Sequence, residues 1–162
     1  MMRRPNFSII VIVGLLLGSH FSSGSAGAED NQQQVTPEMT AVGELNEAYV
    51  TAFNSADVDK LSACLTAKCD FTLLTGATVS GRKQVAAAHA AFFQNNPGAK
   101  IEGKQLTYRT IRPKIVLASG TWKVTGGPAG YPPSGNWYTV VVQKEGRWQY
   151  EAMRLMIPVN ER

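Results

Sequence analysis

Apolar residues Val42, Leu45, Tyr49, Ala52 and Phe53 recur three and four positions apart, which predicts a helix over residues 37–54 with one buried face. Thr36 and Pro37 suit its N-cap and first turn. Ser55-Ala56-Asp57 interrupts the pattern and recaps a shorter helix whose inward side carries Val58, Leu61, Cys64 and Leu65. Residues 69–75 then alternate as a strand until Gly76 turns the chain. Ser80-Gly81 opens a third helix with Val85, Ala88, His89, Phe92 and Phe93 on one face, and Asn95-Asn96-Pro97-Gly98 stops it. Beyond that point the period is two. Residues 106–112, 114–124, 137–144 and 148–157 are rich in Val, Ile, Thr and aromatics and predict four strands. Glu145-Gly146 makes a tight hairpin between the last two, and residues 126–135, with three Pro and four Gly, form a projecting loop. Three helices followed by a run of antiparallel strands is an α+β pattern.

The first 28 of the 162 residues do not belong to that pattern. Arg3 and Arg4 precede an apolar run over residues 7–17, too short to cross a bilayer, and small residues lead to Ala26-Gly27-Ala28. This predicts a signal peptide over 1–28, cleaved after Ala28, and an exported (periplasmic or secreted) protein with no membrane attachment afterwards. Residues 29–36 are polar and Gln-rich and predict a disordered lead-in, which leaves 37–159 as a single domain. The leader holds two of the 16 Lys and Arg and no acid, so 14 basic residues face 12 acidic ones in the remainder. So mild a positive charge, without basic runs interleaved with aromatics, gives no argument for nucleic acid as a partner.

Export would place Cys64 and Cys69 where disulfides persist. Five residues apart at a helix-to-strand corner, they fit either a bridge or two buried free thiols, and both alternatives stay open. Two Cys without a nearby His make a poor metal set. No glycine-rich phosphate loop or nucleophile elbow is present, so no cofactor and no metal are expected.

Three stretches in this order resemble one family. Residues 48–57 (Ala-Tyr-Val-Thr-Ala-Phe-Asn-Ser-Ala-Asp) are similar to the helix corner of ketosteroid isomerases and their relatives. Ser80-Gly81-Arg82-Lys83-Gln84-Val85 with His89 and Phe92-Phe93 resembles the third helix of that group, and residues 144–152 resemble its closing Gly-x-Trp strand. The chain is thereby similar to the nuclear transport factor 2-like superfamily, in particular its SnoaL-like branch and the SgcJ/EcaC-type members. The resemblance implies a cone-shaped roll, three N-terminal helices packed on a strongly curved, mostly antiparallel sheet around a pocket. It also implies association through the outer sheet face, hence a homodimer. Fold alone implies no activity.

Carried over residue by residue, the resemblance puts Tyr49 where an isomerase holds an oxyanion. Leu73 stands where the catalytic base would be, and residues 137–143 contain no second carboxylate. The chain is therefore not expected to be a ketosteroid isomerase. Asp70, alternating with Cys69 and Phe71, is expected to point away from the core. The polar candidates for the interior are His89, Arg154, Tyr138, Tyr150 and Tyr108. By period two, Trp148, Tyr150, Ala152, Arg154 and Met156 share the face of the last strand that lines the pocket in relatives. The expected site thus has walls of Phe71, Leu73, Phe92, Trp122 and Tyr150, with Tyr49, His89 and Arg154 as anchors. Arg154 would bind an acidic group, and Tyr49 with His89 would be the pair able to handle a proton. Each has a structural alternative: Tyr49 as core, His89 as a structural imidazole, Arg154 paired at the rim with Glu151 or Glu161, and the tryptophans as packing. The expected ligand is a small, largely apolar molecule with an acidic or carbonyl group. Proton-transfer chemistry of the isomerase, cyclase or dehydratase type is one outcome, and a non-catalytic dimeric adaptor is the alternative.

Overall fold

The computed structural model describes residues 35–157. The predicted signal peptide, most of the lead-in and the end of the expected domain lie outside them. The element order is α1 (Pro37–Asn54), α2 (Val58–Ala63), β1 (Leu65–Thr72), β2 (Thr78–Ser80), α3 (Arg82–Asn95), β3 (Lys100–Arg112), β4 (Ile115–Thr125), β5 (Ser134–Lys144) and β6 (Arg147–Met156). The six strands form one sheet in the order β2-β1-β6-β5-β4-β3. Only the β1–β6 pair is parallel; every other pair is antiparallel. The helices pack against this curved sheet, so the fold is the expected α+β arrangement.

Local chemistry sets the helix ends. The Thr36 hydroxyl accepts from the Met39 N–H at 3.2 Å, and Pro37 occupies the first turn, where a missing N–H costs nothing. Ala56 adopts a positive φ of 54° to end α1, and Asp57 caps α2 by accepting from the Lys60 N–H at 3.0 Å. Val42, Leu45, Tyr49, Ala52 and Phe53 form the buried face of α1. Beyond that face, the Asn54 side chain pairs with the backbone of Ile101. Its amide donates to the Ile101 carbonyl at 2.9 Å and its oxygen accepts from the Ile101 N–H at 2.7 Å. The C-terminal end of α1 is thereby fastened to the start of the edge strand β3.

Several boundaries differ from the sequence expectation, among them the start of β5 at Ser134 and the end of β1 at Thr72. Leu65 belongs to β1 and not to the second helix, because Cys64 closes α2 and Leu65 pairs with Tyr150 of β6. The Tyr150 N–H donates to the Cys64 carbonyl, while the Gln149 amide donates to the carbonyls of Ala63 and Leu65, each at 3.0 Å. The short strand β2 was not anticipated, and β3 begins at Lys100, six residues before the expected start. Lys100, Glu102, Gly103 and Lys104 are exposed on a sheet edge, where the apolar alternation that marks a strand is absent.

Candidate functional site

The concave face of the sheet, α1 and α3 enclose a cavity of about 130 Å³. The helices contribute Asn46, Tyr49, Val50 and Phe53 from α1 and Ala88, His89 and Phe92 from α3. Phe71, Leu73, Trp122, Trp137, Tyr150 and Met153 are prominent on the sheet side, and Tyr131 reaches in from the loop between β4 and β5. Glu102 is the only acid among the lining residues, and it is exposed.

Two glycines keep this space from being filled. Gly120 is the cross-strand partner of Trp137, and Gly135 that of Trp122. A Cβ on Gly120 would sit 2.5 Å from Cζ2 of Trp137, and one on Gly135 would sit 2.6 Å from Cζ2 of Trp122. Each indole therefore lies over bare backbone on the neighbouring strand. Their N–H groups point into the sheet: Trp122 donates to the Asn136 carbonyl at 3.0 Å and Trp137 to the Thr121 carbonyl at 3.1 Å. With both polar atoms satisfied there, the rings offer the cavity apolar surface.

The polar feature of the interior is a pair. Tyr49 and His89, 40 positions apart, meet with 2.9 Å between the tyrosine oxygen and Nε2, and Nδ1 lies 2.8 Å from the Val85 carbonyl. A carbonyl can only accept, so Nδ1 carries a proton and donates. Burial lowers the His89 pKa from its ordinary 6.5, partly opposed by the bond to Val85, so the ring is neutral at pH 7. Nε2 then holds a lone pair, and the Tyr49 O–H donates to it. Burial, followed by the proximity of Tyr150, holds the Tyr49 pKa well above 10, so the pair is uncharged at both ends. Phe53, Phe71 and Phe93 surround the imidazole with ring centroids 5.3 to 6.3 Å away. Tyr150 stands edge-on to Tyr49 at 5.7 Å, and burial raises its pKa as well.

The depressed pKa of His89 sets a pH dependence of stability. The unfolded chain takes up a proton near 6.5 while the folded chain resists it, so the contribution is complete above that pH and is lost as pH falls below it. The expected slope is at most about 1.4 kcal/mol per pH unit, persisting until the folded imidazole itself titrates. Thermal unfolding from pH 7.5 to 5 should show it, and His89→Gln should flatten it; an unchanged slope in the variant would contradict the assignment.

Of the residues expected at the site, Tyr49, His89, Phe71, Leu73, Phe92, Trp122 and Tyr150 line one cavity. Arg154 does not. β6 carries a bulge: Tyr150 faces Val141 and Ala152 faces Val140, leaving Glu151 as the extra residue. Glu151 turns outward to Lys144, with 2.9 Å between the charged atoms. The alternation therefore changes phase, and Met153 and Leu155 enter the cavity where Ala152 and Arg154 were expected. Arg154 lies on the other face, cross-strand from the half-exposed Tyr138, and donates to the carbonyls of Asp70 and Met153. It pairs with neither Glu151 nor any acid among the described residues. Tyr108 is buried but does not line the cavity. Asp70 points outward and accepts from the Ser80 hydroxyl at 2.7 Å. Cys64 and Cys69 are both buried free thiols, so the disulfide alternative is corrected. Burial pushes their pKa values to about 11 and about 12, far from reactive thiolates.

The model of the SnoaL-like domain family matches residues 46–151, well over half of the chain. The chain belongs to the SnoaL-like family. Solved structures share its fold, among them one described as nuclear transport factor 2-like. A domain of unknown function with a cystatin-like fold from Nostoc punctiforme is 21% identical, with a TM-score of 0.68 over 79% of this chain and 82% of that one. An uncharacterized cystatin-like-fold protein from Caulobacter vibrioides is 25% identical, with a TM-score of 0.66 over 75% of this chain and 90% of that one. A nuclear transport factor 2-like protein of unknown function from Shewanella oneidensis is 14% identical, with a TM-score of 0.62 over 74% and 98%. No curated protein matches the chain.

Within this SnoaL-like frame, Leu73 lines the cavity at the position the resemblance assigned to a catalytic base. The base among the described lining side chains is the imidazole of His89, whose Nε2 lone pair is already engaged by the Tyr49 O–H. The sequence reading missed Trp137, Thr139, Met153 and Tyr131 as lining residues. Inward alternation along β5 was a usable signal for Trp137 and Thr139. Nothing local marked Tyr131, which the loop folds back to within 6.3 Å of Phe92 and 6.2 Å of Trp122.

Proposed function

We propose that this SnoaL-like domain is an exported protein that binds one small, largely apolar and uncharged molecule between its helices and sheet. The observation that carries this reading is a cavity walled by aromatic and aliphatic side chains, among them the buried, neutral Tyr49–His89 pair. Such a site favours apolar area and penalises a bare charge, since nothing inside would replace the water lost by an ion. The acidic ligand that Arg154 would have recruited is accordingly replaced by a neutral one. Export and pairing of two copies, with Tyr138 and Leu117 exposed on the outer sheet face, are part of the same proposal.

The test is native mass spectrometry of protein purified from its own source, joined to a thermal-shift screen with benzene, toluene, phenol and naphthalene. A retained small molecule, or stabilisation by any of these, is the expected result. A ligand-free protein that no probe stabilises would sink the proposal and leave the adaptor alternative. A second reading, proton transfer on the bound molecule, is favoured by the 2.9 Å contact that links Tyr49 to a neutral imidazole. His89→Gln would then bind and fail to turn over.

A further inference from the structure

The direction of the hydrogen bonds around His89 restricts what can sit beside it. The Val85 carbonyl takes the proton of Nδ1, and Nε2 takes the proton of Tyr49. Tyr49 is left with no proton to give, only lone pairs. To serve as a donor it would have to turn away and leave Nε2 buried without a partner, which is unfavourable in an apolar interior. The arrangement is thus the reverse of an oxyanion hole. Tyr150 has the opposite character. It is only 2% exposed, lines the same cavity beside Tyr49, and its hydroxyl has no hydrogen-bond partner among the described residues. An O–H left without an acceptor in an apolar interior is a group waiting for one. Thr139, another lining residue, already gives its proton to the Ala118 carbonyl at 3.3 Å.

Among its buried lining residues the cavity therefore offers one committed acceptor, Tyr49, and one uncommitted hydroxyl, Tyr150; Asn46 and Tyr131 are part-exposed. A ligand hydroxyl answers both because it donates once and accepts twice. A ketone or aldehyde leaves Tyr49 unanswered, a carboxylate has no cation to meet, and a hydrocarbon leaves Tyr150 unanswered. Size gives a second limit. An engineered protein cavity of roughly 150 Å³ holds a benzene ring, so about 130 Å³ takes one ring and a small substituent. Resting on the binding reading above, we infer that the ligand is a neutral monocyclic alcohol or phenol whose hydroxyl donates to Tyr49 and accepts from Tyr150.

The experiment is a titration of the full chain at pH 7, followed by NMR, with four probes: toluene, phenol, benzaldehyde and benzoate. Phenol is expected to bind more tightly than benzaldehyde, and benzoate not to compete with it. In Tyr49→Phe, phenol should weaken about tenfold more than toluene, the loss that corresponds to one ordinary hydrogen bond. Tyr150→Phe should narrow the same preference. Toluene binding with no discrimination by either variant, or benzaldehyde binding more tightly than phenol, would overturn this inference and leave the binding proposal standing. Failure of every probe would overturn both. Should Tyr49→Phe not fold, the order of phenol and benzaldehyde on the unmodified chain still decides.

Discussion

Alanine at Gly120 is expected to lower the melting temperature by about 10 °C and to abolish binding of any aromatic probe. The new methyl group would meet the Lys104 carbonyl on one side and the Trp137 ring, at 2.5 and 2.6 Å, on the other. Backbone of an adjacent strand cannot retreat without breaking the β3–β4 ladder, in which Gly120 faces Gln105. The indole must move, and the space open to it is the cavity. Forced overpacking of this kind costs about 3 kcal/mol, and the displaced ring would occupy the room a ligand needs. Gly135→Ala should repeat the effect through Trp122, whose ring carbons lie 2.6 and 2.8 Å from the added atom. Gly43 provides the control. It sits in α1 with nothing within 4 Å of a built Cβ, so alanine there should stabilise by about 0.5–1 kcal/mol through helix propensity. Differential scanning fluorimetry with tryptophan emission separates these outcomes. If Gly120→Ala melts with the unmodified chain and binds probes as well, the cavity is not kept open by these glycines.

The three helices were legible in the sequence because each turns apolar residues at helical spacing toward the core, and Thr36, Asp57 and Gly81 mark where they begin. The alternating strands β4 and β5 were legible for the same reason. Misjudged features depended on pairing across the sheet, which no local window contains. The bulge at Glu151 leaves no compositional trace, yet it turned Arg154 out of the cavity and Met153 in. Gly120, inside an expected strand, and Gly135, assigned to the loop, gained a role only when the register set each against a tryptophan. Tyr49 and His89 were each readable as an interior polar residue. That they satisfy one another, and in which direction, depends on the packing of α3 across α1 and on the Val85 carbonyl that fixes the imidazole tautomer.

That mutual satisfaction makes a second large effect measurable as a coupling. Tyr49→Phe removes the proton that Nε2 accepts and leaves a buried lone pair bare. His89→Leu removes the acceptor and leaves a buried O–H without one, in addition to disturbing the ring contacts with Phe53, Phe71 and Phe93. Each single variant should lose about 2–4 kcal/mol. The double variant puts apolar groups of similar size on both sides, with no polar atom stranded. It should be more stable than the sum of the single losses predicts, by about 1–3 kcal/mol. Denaturant unfolding at pH 7.5 is the right condition, because imidazole protonation in the unfolded chain then contributes little. Below pH 6.5 the picture should shift in a specific way: the unmodified chain and Tyr49→Phe lose stability as pH falls, whereas His89→Leu and the double variant do not. Simple additivity at pH 7.5 would mean that the Tyr49 proton is not held by His89. Its donor would then face the cavity, and the polarity assigned to the ligand would have to be reversed.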